Sequence, residues 1–194
     1  MLASIRASAL IASAVIATAT ATPSMASAVG GPAPNAPSAP AASGPAGIAL
    51  GPSKSLSELV DARADTVAPN ADQECIAAAV YFEARGEPLE GQLAVASVVL
   101  NRAASGKYPA SVCAVVTQAA QFSFVRKGII PPIKRATEAW RKAVAIARVA
   151  VERLAQQLGS DVLWYHANYV RPAWGGRLIR VTQIGTHIFY SGKG

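Results

Sequence analysis

Between Val29 and Pro52 the chain is dominated by Pro, Ala, Gly and Ser. Such a segment cannot bury enough apolar surface to offset the entropy of ordering it, so it reads as a flexible linker. It leaves only the residues after it for a core, within a total of 194. It also inflates the apolar content of 52% with residues that build no core. Upstream, Arg6 is the sole charge before the small and apolar run Ala7 to Ala21, and Ala26-Ser27-Ala28 is a small-x-small triplet. This reads as a secretory signal peptide over residues 1–28, cut after Ala28. The rival reading is a membrane anchor; Thr18, Thr20, Thr22 and the alanine richness oppose it. Residues 29–69 then form a linker with a short helix at Leu56 to Thr66. Residues 70–194 form the folded domain.

The formal net charge is +7. Loss of Arg6 with the leader takes the 18 basic residues to 17, against 11 acidic ones. A basic exported domain suits an anionic polymer such as a cell wall or a membrane surface. Charge alone also suits nucleic acid. The Lys and Arg residues are scattered, however, and no nucleic-acid motif accompanies them, so no nucleic acid is expected as a partner. No segment after the leader is long and apolar enough to span a bilayer. A monomer without stable membrane insertion is expected. The two cysteines, Cys75 and Cys113, read as a disulfide in an exported chain, and otherwise as two buried thiols.

Along the domain, Asn70 and Gln73 have the spacing of a capping box. The first domain helix runs to about Ala84, with Ile76, Ala79, Val80 and Glu83 at helical spacing. A second runs from about Leu89 to Ala104 and ends at Gly106. A short third covers Ser111 to Thr117, and Gln118 to Pro132 reads as a loop. A long helix follows from about Lys134 to Leu158, on a stripe from Ala136 through Trp140, Val144, Ala147, Val151 and Leu154 to Leu158. After Gly159, Asp161 to Val170 and Leu178 to Tyr190 are rich in β-branched and aromatic residues. They predict an antiparallel sheet of two or three strands, with Gly185 as a break. The fold class is α+β, mostly helical with a small C-terminal sheet.

The run Tyr81-Phe82-Glu83-Ala84-Arg85-Gly86-Glu87-Pro88 reads as a helix end. Gly86 can take the left-handed conformation that closes a helix, and Pro88 cannot continue one. Glu83 then sits on the last turn beside aromatic surface. A carboxylate there is poorly solvated and holds its proton tightly, as a general acid must near neutral pH. The alternative is an ordinary helix-end carboxylate paired with Arg85. Glu87 offers a second carboxylate for hydrolysis, or a charge that favours the start of the next helix, as does Glu90.

These stretches recur in a fixed order. Cys75 to Pro88 leads into Gly91-Gln92-Leu93-Ala94-Val95-Ala96 and Val99-Leu100-Asn101-Arg102. Then come Tyr108-Pro109, Val112 to Val116, Gln121-Phe122-Ser123-Phe124, Trp164-Tyr165-His166-Ala167 and Ile184 to Tyr190. The series resembles the cell wall hydrolase family named after the spore cortex-lytic enzyme, over nearly the whole domain. The resemblance implies a lysozyme-like, lytic-transglycosylase-type fold. It also implies a periplasmic or secreted enzyme that cleaves peptidoglycan between N-acetylmuramic acid and N-acetylglucosamine, and places the family's acid on Glu83. No metal and no cofactor is implied. Relatives often carry a cysteine at the positions of Ala120 and Arg126. The paired absence fits a second family disulfide missing here, and a looser loop after Ser123.

The resemblance makes Gln121, Phe122, Ser123, Tyr165 and His166 candidate substrate-binding residues. Gln121 and Ser123 would bond acetamido or hydroxyl groups, and Phe122 would lie on a sugar face. Phe122 and Phe124 read equally as core plugs. His166 would orient substrate or Glu83, or be a buried structural histidine; His187 reads as structural. Two alternatives remain. One is a zinc-dependent N-acetylmuramoyl-L-alanine amidase holding metal through His166, His187 and a carboxylate, at a spacing that matches no usual zinc pattern. The other is a non-catalytic wall-binding module.

Overall fold

The computed structural model describes residues 54–64 and 68–192. The expected signal peptide and residues 29–53 of the expected linker lie outside the described residues. Helix α1 (Leu56–Ala64) buries Val60 and packs on a later helix, α5 (Glu138–Val151). The Arg63–Glu152 ion pair at 2.8 Å and the Arg148 guanidinium, donating to Arg63 O, fasten its end.

Helix α2 (Ala71–Glu83) starts at the expected capping box: Asn70 Oδ1 accepts from Gln73 N–H, and Gln73 Oε1 accepts from Asn70 N–H. Ile76 through Tyr81 are all buried, among them three successive alanines. A helix apolar on every side belongs inside, and small side chains let its neighbours approach. Helix α3 (Leu89–Ala104), helix α4 (Val112–Thr117) and α5 surround it. A Cys75–Cys113 disulfide ties α2 to α4, as the even cysteine count predicts. Gly86 is not left-handed. Among the described glycines only Gly106, Gly128 and Gly185 have positive φ. Instead α2 closes at Ala84, whose N–H reaches Val80 O, and a tight turn brings Glu87 N–H onto Ala84 O.

Helix α5 is shorter than its apolar stripe suggests. It begins where Thr137 accepts a bond from Trp140 N–H. It ends with Arg153 left-handed at φ 52°, Arg153 N–H on Ala150 O and Leu154 N–H on Val149 O. Those two bonds form a Schellman motif with arginine where glycine is usual. Leu154 is left exposed, and Leu158 reaches the core from outside the helix.

The C-terminal strands β1 (Val162–Ala167), β2 (Ile179–Ile184) and β3 (His187–Ser191) form an antiparallel sheet in the order β1-β3-β2. Gly185 at φ 56° opens the two-residue β2–β3 turn, where a primed turn needs that conformation. Added bulk there would also overlap the Glu87 carboxylate. Helix α3 faces two ways. Leu93, Ala96 and Val99 enter the helical core, while Ala94, Val95 and Val98 meet Val162 and Phe189 of the sheet. The class is α+β and mostly helical, as the sequence predicts.

Replacing Cys75 and Cys113 together by serine removes a cross-link spanning 38 residues. Unfolding free energy falls by roughly 2–4 kcal/mol, seen as a lower urea midpoint under oxidising conditions. An unchanged midpoint would show that the bridge adds no stability.

Candidate active site

Glu83 is the last residue of α2, at the seam between the helical core and the sheet. Tyr165, on the helix-facing side of β1, points its hydroxyl at Glu83 Oε2, 3.5 Å away. Burial pushes the Glu83 carboxyl above its ordinary range. The Tyr165 hydroxyl and the positive charge of Arg102 work against that rise without cancelling it. Burial, then the Glu83 charge, push the Tyr165 phenol far up. It stays protonated and is a permanent donor. The expected alternative partner, Arg85, lies over the Tyr81 ring, 5.0 Å from its centroid.

Behind Tyr165 lies His187, edge-on to its ring at 5.3 Å. His187 is buried, and burial lowers its pKa despite Glu87 Oε1 at 3.8 Å from Nδ1. Glu87 is bound to the β2–β3 hairpin. It accepts bonds from both the N–H and the hydroxyl of Thr186. Burial raises its carboxyl, but the two Thr186 bonds and His187 outweigh burial and hold it below the usual range. The sequence reading of Glu87 as a helix-start charge misses this clamp.

The other wall begins with Phe82, which stacks on Phe124 at 4.6 Å and 20°. Phe124 also lines an open groove of about 510 Å³ with Ser123, Arg126, Ile129 and Pro131. Arg126 and Ile129 close a tight hairpin through paired backbone bonds, with Lys127 and Gly128 both at positive φ. That turn and the Phe124 stack hold the loop that the missing cysteines would leave loose. Gln121 and Ser123 are exposed beside this wall. Phe122 is not a sugar platform: it is 3% exposed, inside the helical core against Phe124.

His166 also departs from expectation. Successive strand residues point to opposite faces, so Tyr165 facing Glu83 turns His166 away from it. His166 Nε2 meets Tyr190 Oη at 2.9 Å, and its ring, Tyr190 and Trp174 form a cluster in mutual contact. His187 pairs with Ala167, next along from His166, and so lies on the opposite face of the sheet. The two histidines cannot share a metal ion. Among the described residues no three His, Cys, Asp or Glu side chains converge as a metal site. Tyr169 is 81% exposed on the loop after β1.

Sequence reasoning passed over Arg102. It is 6% exposed and donates through Nε to Leu163 O at 2.8 Å. Its neighbour Asn101 donates to Gly159 O and Val162 O. The signal was a cation three residues beyond Val99 on an apolar helix face.

The family model described as Cell Wall Hydrolase matches residues 86–190, beginning three residues after Glu83. The spore cortex-lytic enzyme of Oceanobacillus iheyensis is 35% identical over 120 residues, covering 61% of this chain and 41% of that protein. The Bacillus subtilis spore cortex-lytic enzyme is also 35% identical over 120 residues, covering 62% of this chain and 37% of the relative. The chain thus spans about two fifths of the length of these relatives. The solved catalytic domain of the germination-specific lytic transglycosylase SleB from Bacillus anthracis aligns with a TM-score of 0.51 at 32% identity. That alignment covers 64% of this chain and all of that domain.

Glu83 holds its proton more tightly folded than unfolded. The stability linked to it is complete below the unfolded carboxyl's value and is lost as pH rises through the folded one. Glu83→Gln removes that loss, so the variant melts higher than the parent at pH 7 and the two converge in acid. A variant melting no higher at pH 7 contradicts this account of the buried carboxylate.

Proposed function

The chain belongs to the cell wall hydrolase family, and we propose that it cleaves the glycan of peptidoglycan as a lytic transglycosylase with Glu83 as the lone acid/base. The observation that carries this reading is the half-buried Glu83 carboxyl facing the Tyr165 hydroxyl at the seam. Glu83 protonates the oxygen linking N-acetylmuramic acid to N-acetylglucosamine while oxocarbenium character develops on the muramyl ring. The leaving sugar departs with that proton. The muramyl 6-hydroxyl then bonds to its own anomeric carbon and gives its proton to Glu83. The product is a 1,6-anhydro end, and the acid is restored.

Tyr165 holds the carboxylate by donating to it at the mid-point of the cycle. Gln121 and Ser123 would bond acetamido and hydroxyl groups of the glycan, a reading supported by their exposure beside the Phe82–Phe124 wall. Glu87 is held by Thr186. The cycle needs no second carboxylate, metal ion or cofactor.

The domain organisation belongs to the same proposal: a cleaved leader over 1–28, a linker after it, and a catalytic domain from Asn70 to which helix α1 adds from the linker side by packing Val60 into the core. The protein acts as a monomer on the wall, in the periplasm or outside the cell. The basic balance of the chain fits an anionic polymer there.

Glu83→Gln keeps the fold and lowers release of fragments from purified sacculi by about 10²–10⁴-fold. Mass spectrometry of the wild-type products finds anhydro-muramic ends. A fully active variant removes Glu83 from the chemistry, and reducing ends in place of anhydro ends make water the nucleophile.

A further inference from the structure

Among the described residues Arg102 is the one buried cation at the seam. It lies near the end of α3, 6% exposed. Its Nε donates to Leu163 O, two residues before Tyr165 on β1. The guanidinium lies 5.0 Å from the Tyr108 ring centroid and 5.8 Å from that of Phe122. Its Nη1 is buried and donates to nothing among the described residues.

A buried guanidinium is expensive to desolvate and normally faces a carboxylate. Here a carbonyl and two aromatic faces hold it in place of one. Such faces attract a cation by roughly 0.5–2 kcal/mol each. That fixes the position of the charge without neutralising it.

The groups on which this charge acts are Glu83 and Tyr165. Around them, β3 contributes His187, the turn before α3 contributes Glu87, and the segment after α3 contributes Tyr108. Tyr165 remains a neutral donor, and burial lowers the pKa of His187. Glu87 is satisfied by Thr186. Arg102 is thus a positive charge anchored two residues from Tyr165, whose hydroxyl reaches Glu83, and it bears on the carboxyl that must cycle.

We propose that Arg102 is a positioning residue: its fixed, unneutralised guanidinium is the counter-charge that lets Glu83 exist as a carboxylate inside the seam, so that the same group can give a proton and take one back. The proposal rests on the glycan-cleaving reading of Glu83. With the acid protonated, the pair carries one positive charge. With the proton on the departing sugar it is neutral, which is the arrangement a buried site favours. Without Arg102, Glu83 would hold its proton more tightly and be a poorer acid.

The test is Arg102→Gln, with Arg102→Met as a second neutral variant in case glutamine does not fold. A buried ionic residue can often be exchanged for an apolar one of similar volume. Glu83 is followed by carboxyl ¹³C NMR against pH in substrate-free protein. In a neutral variant its titration moves to higher pH. Fragment release loses about 10- to 100-fold in kcat with KM little changed, and the alkaline limb of the rate profile moves upward with the titration. Arg102→Lys restores the charge and brings the Glu83 titration back toward that of the parent, although it loses the flat contact with Tyr108 and Phe122 and melts lower. A folded neutral variant whose Glu83 titration stays where the parent's is overturns the proposal. A wild-type protein that releases no fragments sinks the catalytic reading alone, because the NMR titration needs no substrate.

Discussion

Helix α3 has to fill two cores at once, and the site exists because it does. One side closes the helical body through Leu93, Ala96 and Val99, while the other receives the sheet through Ala94, Val95 and Val98. An element buried on both sides leaves little room for polar side chains. Those it keeps face something specific: Gln92 donates to Glu87 O and Ser97 to Leu93 O. Asn101 and Arg102 grip carbonyls at the start of β1. That grip sets where β1 runs past the end of α2, and hence how close Tyr165 comes to Glu83. The two residues are 82 apart in sequence and meet only because α3 fixes both layers.

The two carboxylates near the helix end show how environment divides one residue type into two roles. Glu83 has one long hydrogen bond and poor solvation, and holds its proton more tightly than an ordinary carboxyl. Glu87, four residues on, has two bonds from Thr186 and a histidine beside it, and loses its proton readily. The turn between them separates a group fit for proton transfer from one that pins a hairpin. The pin matters to the site as well. Glu87 holds the β2–β3 turn, β3 carries His187, and His187 backs the Tyr165 ring.

Much of this was legible in the sequence where a local rule decides the structure. The Asn70–Gln73 capping box, the span from Leu89 to Ala104, the stop at Gly106, the turn at Gly185 and the disulfide each rest on residue types with one dominant use. The helix-end run singled out Glu83 and the direction of its pKa, and the resemblance then placed the family's acid on it. What failed did so where the signal is weak or non-local. The end of α5 depends on Arg153 taking a left-handed conformation, for which arginine gives no hint. Gly86 and Pro88 marked a stop, but the turn closes through Ala84 and Glu87. Phe122 and Phe124 look alike in sequence, yet only tertiary packing tells the buried ring from the one on the groove. The expectation that His166 orients Glu83 alongside Tyr165 fails because strand alternation keeps adjacent residues from facing the same partner.

The buried polar side-chain atoms without a hydrogen-bond partner among the described residues are Arg102 Nη1, His187 Nδ1 and Gln118 Oε1. Each such group costs about 1–3 kcal/mol when nothing compensates it, so folding alone would select against them. Two of the three touch the Tyr165 shell: the Arg102 charge acts on Tyr165, and the His187 ring packs on it. The third precedes Ala120, itself held at φ 62° at the foot of the Gln121–Ser123 wall. Two of the unsatisfied groups therefore lie around Tyr165, and strained Ala120 adjoins Gln121, whereas Arg153, at φ 52°, is strained at the end of α5. Strain of that kind persists only where the surrounding structure over-determines it. Here the over-determination comes from the alanine-lined body of α2, the disulfide to α4 and the double burial of α3. The rigid part of the molecule holds in place a seam that would otherwise relax until its carboxylate was solvated and its cation paired.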